Sequence, residues 1–293
     1  MSRQEEKSSE SEMTFFEHID ALRPHLVRGA LAFFVLAVVA FISKHYIIDT
    51  ILMGPMHVDF PTNRLLADMA KMFNLTGMGI NAGNFNLINT SVAGQFNLHM
   101  NISMFTGLAL AVPYLLWEIW QFIKLALTPK ERRASRLFVF YVSLCFFTGL
   151  LFGYFVIVPM SLNFFTTYSA SDAIKNMIDI KSYLGMVLNI SIACGLLFQL
   201  PLLVYFLNRM GILSPQFMRR YRRHAIVIIT LFSAIIAPPD IFSMVLMVLP
   251  MYGLYELSIF IAVRTNRKME KREEAETGGR FHTRSTLPTG TEE

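Results

Sequence analysis

Glu131 is a lone carboxylate in a short basic loop that separates two long apolar stretches of the chain. The loop follows an aromatic stretch that begins at Trp117, contains a Thr-Pro turn, and holds or borders five basic residues: Lys124, Lys130, Arg132, Arg133 and Arg136. A carboxylate binds the planar guanidinium group through two parallel hydrogen bonds, a geometry that an ammonium group cannot reproduce. Any function has to account for this acid, and the plainest alternative is that it pairs with Arg132 or Arg133.

Three further candidate side chains lie inside the apolar stretches: Glu118, Gln199 and Glu256. An ionisable group within a membrane-spanning segment indicates a functional site by default. For Glu118 the alternative is an interfacial acid within reach of water, and for Glu256 it is the bracing of its own helices. Gln199 can hydrogen-bond a partner helix inside the bilayer, or it can satisfy carbonyl groups that Pro201 leaves without a donor.

The composition indicates a membrane protein with several spans. The chain has 293 residues, of which 54% are hydrophobic and 16% are charged, whereas soluble domains carry about 25% charged residues. Apolar runs of eighteen or more residues recur along it. The basic residues fall at the ends of these runs, so the net charge of +5 does not indicate nucleic-acid binding. Cys145 and Cys194 both lie in apolar runs and are predicted to be small buried residues.

The motifs of nucleotide-driven and hydrolytic enzymes are absent from the sequence. There is no GxxxxGK[ST] phosphate loop, no HExxH metal motif and no GxSxG nucleophile motif. We therefore predict a protein that is not an enzyme and that uses no metal and no cofactor.

The apolar stretches predict an all-α integral membrane protein with six transmembrane helices. Residues 1–25 form a cytoplasmic tail followed by an amphipathic interfacial helix, residues 26–263 form the membrane domain, and residues 264–293 form a disordered cytoplasmic tail. Internal prolines predict kinked helices. The expected spans are 26–42, 100–123, 137–165, 182–207, 224–238 and 242–263.

Two regions of the membrane domain are unusual. The fifth span has about thirteen apolar residues, which cover about 20 Å of a hydrocarbon core of about 30 Å. Pro238, Pro239 and Asp240 then make a sharp turn, with Asp240 as the predicted N-cap of the last span, so the fifth and sixth spans form a short hairpin. The polar segment 44–99, predicted to be extracytoplasmic, is too long for a bare loop, so some helix or strand is expected within it.

Six stretches of the sequence carry a recognisable pattern: FFEHIDALRPHL at 15–26, WEIWQFIKLALTPKERR at 117–133, FFTGLLFGYFVIVP at 146–159, CGLLFQLP at 194–201, APPDIFS at 237–243 and YELSI at 255–259. In this order and spacing they resemble the TatC family, the polytopic subunit of the twin-arginine protein translocase. Segment 44–99 matches the family poorly and has the character of an insertion or a lineage-specific elaboration.

The resemblance implies a signal-peptide receptor and translocase core in the cytoplasmic membrane of a bacterium. Such a protein exports folded proteins by means of the proton-motive force. The implied partners are single-span TatA-type and TatB-type subunits, signal peptides with a consecutive arginine pair, membrane lipid and further copies of the chain. A secondary transporter of ions or small solutes is the alternative, but such transporters often contain internal repeats, and residues 1–136 show no convincing similarity to 137–263.

The resemblance also implies roles for particular residues. It departs from the family at Ala21, where many members carry a second acid, so Asp20 is the remaining match and Glu17 could compensate. It departs again at Gln199, where some members carry Glu, and at Ala237, where the family has Thr. The implied signal-peptide site is Glu131, Phe122, Asp20, Arg23, Glu17 and Glu118. The implied partner-helix contacts are Gln199, Pro201 and Glu256, and the implied structural residues are Pro159, Pro238, Pro239 and Asp240.

The distribution of basic residues predicts the orientation of the chain. Of the 26 Lys and Arg residues, 21 lie in the two termini and in the loops after the second and fourth spans, and five lie in segment 44–99 and after the third span. Cytoplasmic segments carry the excess of positive charge. Both termini are therefore predicted to be cytoplasmic.

Thiol labelling tests this topology. Cysteines introduced near residue 80 should react with an impermeant reagent added outside the cell, because that segment carries few basic residues. Cysteines introduced near residue 275 should not react until the membrane is permeabilised. Labelling of both positions from the same side would contradict the predicted orientation.

Overall fold

The structure of the chain is a computed structural model in which helices dominate. It describes residues 15–72, 87–125, 135–168, 171, 177–209, 213–236 and 241–284. The α-helices, in chain order, are α1 Phe15–Ile42, α2 Pro61–Met72, α3 Gly94–Leu125, α4 Ser135–Phe152, α5 Val158–Thr167, α6 Ile180–Leu197, α7 Leu200–Arg209, α8 Pro215–Arg220, α9 Arg222–Ile236 and α10 Ile241–Arg284. Contacts divide the chain into two compact units, Met1–Leu196 and Leu197–Glu293.

The remaining elements are short. Two π-helical segments, Tyr46–Leu52 and Gly153–Ile157, and a 3₁₀ turn, Gly54–Met56, lie in the first unit. Strand β1, Leu87–Ile88, pairs in parallel with strand β2, Ile178–Asp179. Apart from this two-residue pairing, the described residues confirm the predicted helical class.

Five helical segments of the described residues are long and apolar enough to cross a membrane. Helix α9 has 15 residues and covers about 22 Å, which is shorter than the hydrocarbon core. It occupies the position of the predicted short fifth span, so the count of six spans stays a prediction. The five segments are Leu22–Ile42, Gly94–Phe122, Val139–Thr167, Ile180–Val204 and Ser243–Arg264.

The structure differs from the sequence-based expectations in where the helices begin and end. Helix α1 is continuous from Phe15, with Pro24 inside it, so no break separates the amphipathic part from the first span. The predicted fourth span is two helices, because α6 ends at Leu197 and α7 begins at Leu200. The segment between α1 and α3 contains helix, as expected, although α3 already begins at Gly94.

The prediction of a disordered tail from residue 264 is wrong for residues 264–284. Helix α10 runs through them without a break. This part of the sequence is rich in Lys, Arg, Glu and Ala, which have high helix propensity, and extending an existing helix needs no new nucleation step. Residues 285–293 and the predicted turn at Pro238, Pro239 and Asp240 lie outside the described residues.

Helices α1 and α3 pack against each other in antiparallel order along what we call the α1–α3 seam. A Cβ atom added to Gly107 would lie 2.6 Å from the backbone N and Cα of Ala37, and one added to Gly29 would lie 2.8 Å from Cδ2 of Leu115. Without a hydrophobic driving force in lipid, helices associate through such close approaches at small residues. The two glycines therefore set the distance between the helices.

An aromatic contact marks one end of the seam. The ring of Phe41 stacks on His99 with centroids 3.9 Å apart and an interplanar angle of 17°. Nε2 of His99 also lies 3.0 Å from the carbonyl oxygen of Phe41. Phe41 is the residue before the last one of α1. Carbonyl groups in the last turn of a helix have no hydrogen-bond donor within that helix, so the ring of His99 reaches one of them.

Pro159 has a local structural consequence in the first unit. A proline has no N–H, so the carbonyl of Phe155, four residues earlier, loses the donor that an α-helix would supply. The hydroxyl of Thr62 on α2 donates a hydrogen bond to that carbonyl, and the ring of Phe60 stacks on Phe155 with centroids 5.3 Å apart. The segment after α1 thus covers the backbone irregularity that precedes Pro159.

Side-chain hydroxyl groups also bond backbone carbonyls at the end of the first π-helical segment. The hydroxyl of Tyr183 on α6 donates to the carbonyl of Leu52 at 2.8 Å, and that of Tyr154 donates to the carbonyl of Ile51. Carbonyls in the last turn of a helix have no partner within it. Side chains from the second π-helical segment and from α6 therefore hold the segment after α1 in place.

The close approach at Gly107 generates a stability prediction. Gly107→Ala should lower the free energy of unfolding by about 1–3 kcal/mol, because overpacking forces the backbones of α1 and α3 apart. Unfolding of the purified protein in mixed micelles measures this change. Gly185→Ala on α6 is the matched control, since its Cβ meets no atom of the described residues within 4 Å, and it should be neutral or stabilising. Equal stability of the two variants would show that the seam tolerates separation.

Candidate functional site

Glu118 and His25 form a buried polar pair at the other end of the α1–α3 seam. The carboxylate Oε2 of Glu118 bonds Nδ1 of His25, 93 residues away in the sequence. The two side chains are 9% and 18% exposed, respectively. The Tyr114 hydroxyl, one turn before Glu118, bonds the same carboxylate, and Arg28 adds a favourable charge interaction. A buried carboxylate is tolerated when it is paired in this way.

This pairing changes the interpretation of Glu118. From the sequence alone, Glu118 could be an acid that binds a ligand or an interfacial acid within reach of water. In the structure the carboxylate is buried and bonded to a side chain of its own chain. Sequence reasoning missed His25. The available signal was that a histidine in one apolar span and a glutamate in another are natural partners inside a membrane.

The seam brings several predicted site residues to one end of the first unit. Phe122 is half-buried, one turn after Glu118 on α3. Extending the register of the glycine contacts along both helices puts position 22 of α1 level with Phe122. The first turns of α1, which carry Glu17 and Asp20, therefore lie beside the end of α3. Glu131 lies outside the described residues, in the segment of the sequence that follows α3.

The helical phase of α1 separates the acidic positions from one another. At about 100° per residue, position 21 lies about 40° around the helix from His25, position 17 about 80° and position 20 about 140°. The position at which this chain has Ala21 is therefore the one nearest to the α3-facing side. Arg23 lies about 160° from His25 by the same rule, and its side chain is exposed.

Glu256 has an internal partner in the second unit. One of its carboxylate oxygens accepts a hydrogen bond from Arg222 at 2.8 Å, and the other accepts one from the Tyr252 hydroxyl at 3.0 Å. The Tyr255 hydroxyl donates to the carbonyl of Met218 at 2.9 Å. These contacts tie the start of α9 and the end of α8 to α10. The structure thus favours internal bracing, one of the two alternatives that the sequence left open for Glu256.

Gln199 and Pro201 lie at the start of α7. The carbonyl of Gln199 accepts hydrogen bonds from the backbone N–H groups of Leu202 and Leu203, both at 3.0 Å. Pro201 is buried and is the second residue of α7. N–H groups in the first turn of a helix have no acceptor within the helix, so a proline is tolerated there. The predicted contacts of these two residues with partner helices stay predictions.

An apolar cavity of about 410 Å³ opens in the first unit. It lies between the first π-helical segment, α3, α4 and α6, and its lining includes Ile47, Phe105, Phe147 and Leu188. None of the described residues that line it is acidic or basic. The cavity can therefore hold apolar groups, but these residues offer no partner for an arginine. Among the described residues, no cluster of three or more His, Cys, Asp or Glu side chains could hold a metal ion.

The fold and the buried pair define the class of the protein as an α-helical membrane protein with several candidate spans. Residues 17–250 match the family of the Sec-independent protein translocase protein TatC. The chain therefore belongs to the TatC family and is a subunit of the twin-arginine protein translocase. This confirms the resemblance found in the sequence, and it places the chain in protein transport rather than in the transport of ions or small solutes.

Individual relatives cover nearly the whole chain. A TatC protein of Blattabacterium sp. subsp. Periplaneta americana is 33% identical over 264 residues, which is 89% of this chain and 99% of that protein. One of Desulforapulum autotrophicum is 36% identical over 275 residues, 94% of this chain and 91% of that protein. A crystal structure of the twin-arginine translocase receptor TatC in DDM has a TM-score of 0.67 at 29% identity, covering 84% of this chain and 99% of that one.

The Arg222–Glu256 pair generates a testable prediction. Its side chains are 45% and 33% exposed, so solvent screening limits the coupling between them to about 0.3–1 kcal/mol. A double-mutant cycle with Arg222→Ala and Glu256→Ala, read out as unfolding free energy in mixed micelles, measures that coupling. Asp59→Ala is the control, because it breaks a different ion pair, with Arg64, and should add independently to either change. A coupling of zero would show that Glu256 does not brace the helices.

Proposed function

We propose that this chain is the receptor for twin-arginine signal peptides and the core of the translocase that exports folded proteins across the cytoplasmic membrane. The observation that supports the proposal is the arrangement at one end of the α1–α3 seam. There the acidic first turns of α1 lie beside Phe122 and beside the start of the loop that carries Glu131. Carboxylates from two chain segments can then serve two consecutive guanidinium groups.

The proposed orientation puts this end of the seam at the cytoplasmic surface, with six spans and both termini inside. The excess of basic residues in the termini and in two loops supports it. Signal peptides of newly made proteins arrive from the cytoplasm, so the acids would stand where the peptide first meets the membrane. Segment 44–99 would then lie on the extracytoplasmic side.

The proposed partners of the membrane domain are single-span TatA-type and TatB-type subunits, lipid and further copies of the chain. Helix α9 supports this part of the proposal, because large apolar side chains along it, such as Val227, Leu231 and Ile235, are exposed. In a bilayer such side chains face lipid or another helix. Gln199 and Pro201 stay the proposed polar contact with a partner helix, and the proton-motive force stays the proposed energy source.

Glu131 is the proposed acceptor of the arginine pair. It is the one acid in a segment that holds or borders five basic residues, so without it this segment would repel a doubly cationic peptide. A hydrogen bond to a charged group contributes about 1.5–3 kcal/mol, and truncating one partner of a buried charge pair costs about 2–5 kcal/mol. The acid can therefore decide whether the peptide binds.

Substitution of Glu131 tests the proposed function. At about 1.4 kcal/mol per tenfold, Glu131→Ala should weaken binding of a twin-arginine peptide by about ten- to a thousandfold. Glu131→Asp should do less harm, because it keeps the charge and moves it by one methylene. Signal-peptide crosslinking and export at matched protein levels measure the effect. Asp59→Ala is the control, since it removes an exposed acid that pairs with Arg64 in segment 44–99, and it should bind as wild type does.

Normal crosslinking and export by Glu131→Ala would show that Glu131 is not the arginine acceptor. The acid would then have to come from the first turns of α1, at Glu17 or Asp20. The phase of α1 separates these two positions by about 60° around the helix axis. Single substitutions at each of them would therefore identify the acceptor.

A further inference from the structure

His25 and Glu118 bond each other at one end of the seam. The proposed binding of two arginines gives this bond no task. We propose that His25 and Glu118 are positioning residues that fix the first turns of α1 against the end of α3 and so hold the arginine-binding acids in register. This inference rests on the proposed function. It assigns to Glu118 a part different from that of a ligand-binding acid.

Burial argues against direct contact between Glu118 and a peptide. Its side chain is 9% exposed, and both His25 and Tyr114 bond its carboxylate. An incoming guanidinium group would have to displace these bonds and open the contact between two packed helices. The carboxylate is better placed to hold α1 on α3 than to receive a ligand.

The close approaches at the two glycines of the seam do not perform this task. The contacts at Gly29 and Gly107 are close approaches of small and apolar groups, which set a distance and carry no directional preference. The stacked Phe41 and His99 rings fix the opposite end of the helices. A hydrogen bond is directional, so the bond between His25 and Glu118 can fix the angle and the axial position at this end.

Because His25 lies ten residues into α1, a small change of angle at the pair moves the start of the helix by a large distance. Ten residues of α1, from Phe15 to Pro24, precede it and extend about 15 Å beyond the pair. A tilt of about 10° at the pair would move the start of α1 by about 2.6 Å at that length. Displacements of about 1 Å already degrade sites that depend on oriented groups. A bidentate carboxylate–guanidinium contact would be lost by such a tilt.

The test uses the full chain in lipid nanodiscs and a synthetic signal peptide with two consecutive arginines, with a Lys-Lys peptide as reference. His25→Leu and Glu118→Leu should each weaken binding of the twin-arginine peptide about tenfold, which corresponds to a binding-competent arrangement reduced to about a tenth of the population. The exchanged double variant His25→Glu/Glu118→His restores an acid and an imidazole in opposite order. It should recover binding to within about threefold of wild type, because the pair is re-formed.

A distance measurement separates positioning from contact with the peptide. Spin labels at Leu22 on α1 and Ile119 on α3, both exposed, report the spacing of the helices, with Cys145 and Cys194 replaced by Ser. The single variants should broaden the distance distribution, and the exchanged variant should narrow it again. His99→Leu is the matched control at the opposite end of the seam, and it should leave both peptide binding and this distance unchanged.

Each outcome supports or overturns the proposed positioning role. Wild-type binding by the single variants would overturn it. Weakened binding with an unchanged label distance would also overturn it and would make Glu118 a ligand. If the exchanged variant does not fold, the label distance in the single variants decides. If wild type fails to prefer the twin-arginine peptide, the proposed function fails, while the label distances still show whether the pair positions α1.

Discussion

The close packing of α1 on α3 is the constraint on which the first unit depends. Gly107 faces the backbone of Ala37 so closely that no larger residue fits without a shift. In lipid, apolar side chains gain nothing by leaving the solvent, so the contact depends on van der Waals packing between backbones. The contact sets the distance between the two helices, and the groups at their ends fix the rest of the arrangement. The His99–Phe41 stack and the His25–Glu118 pair are the two ends of one seam.

A second constraint is that a membrane offers no water to irregular backbone. The chain contains two π-helical segments, and Pro159 removes the N–H that an α-helix would supply to the carbonyl of Phe155. Thr62, Tyr154 and Tyr183 supply hydroxyl donors to three carbonyls of these segments. The segment between α1 and α3 is thus coupled to α6 and to the second π-helical segment. Within the fold it supplies a donor to the carbonyl of Phe155, which lies in the candidate span Val139–Thr167.

The sequence predicted the helical membrane class and the family, because long apolar runs and short motifs are local features. It did not predict His25 as the partner of Glu118, since that contact joins residues 93 apart and depends on the register of two helices. The π-helical segments were also missed, because the extra residue in each turn leaves no mark on composition. Residues 264–284 are helical rather than disordered, because the high helix propensity of Lys, Arg, Glu and Ala outweighs the high charge of this stretch.

The basic surroundings of Glu131 bear on how the proposed receptor would select its peptide. Five cationic side chains in and beside the loop repel any cationic segment, whether it carries lysine or arginine. Discrimination is a difference between two affinities, and a cost shared by both ligands leaves that difference unchanged. The difference then comes from the bidentate bond that arginine alone forms with a carboxylate. The shared repulsion lowers the affinity of all cationic segments, so only those that form this bond remain bound. Such selection would need acids held at fixed positions, and in the proposed receptor this requirement would link Glu131 to the packed α1–α3 seam.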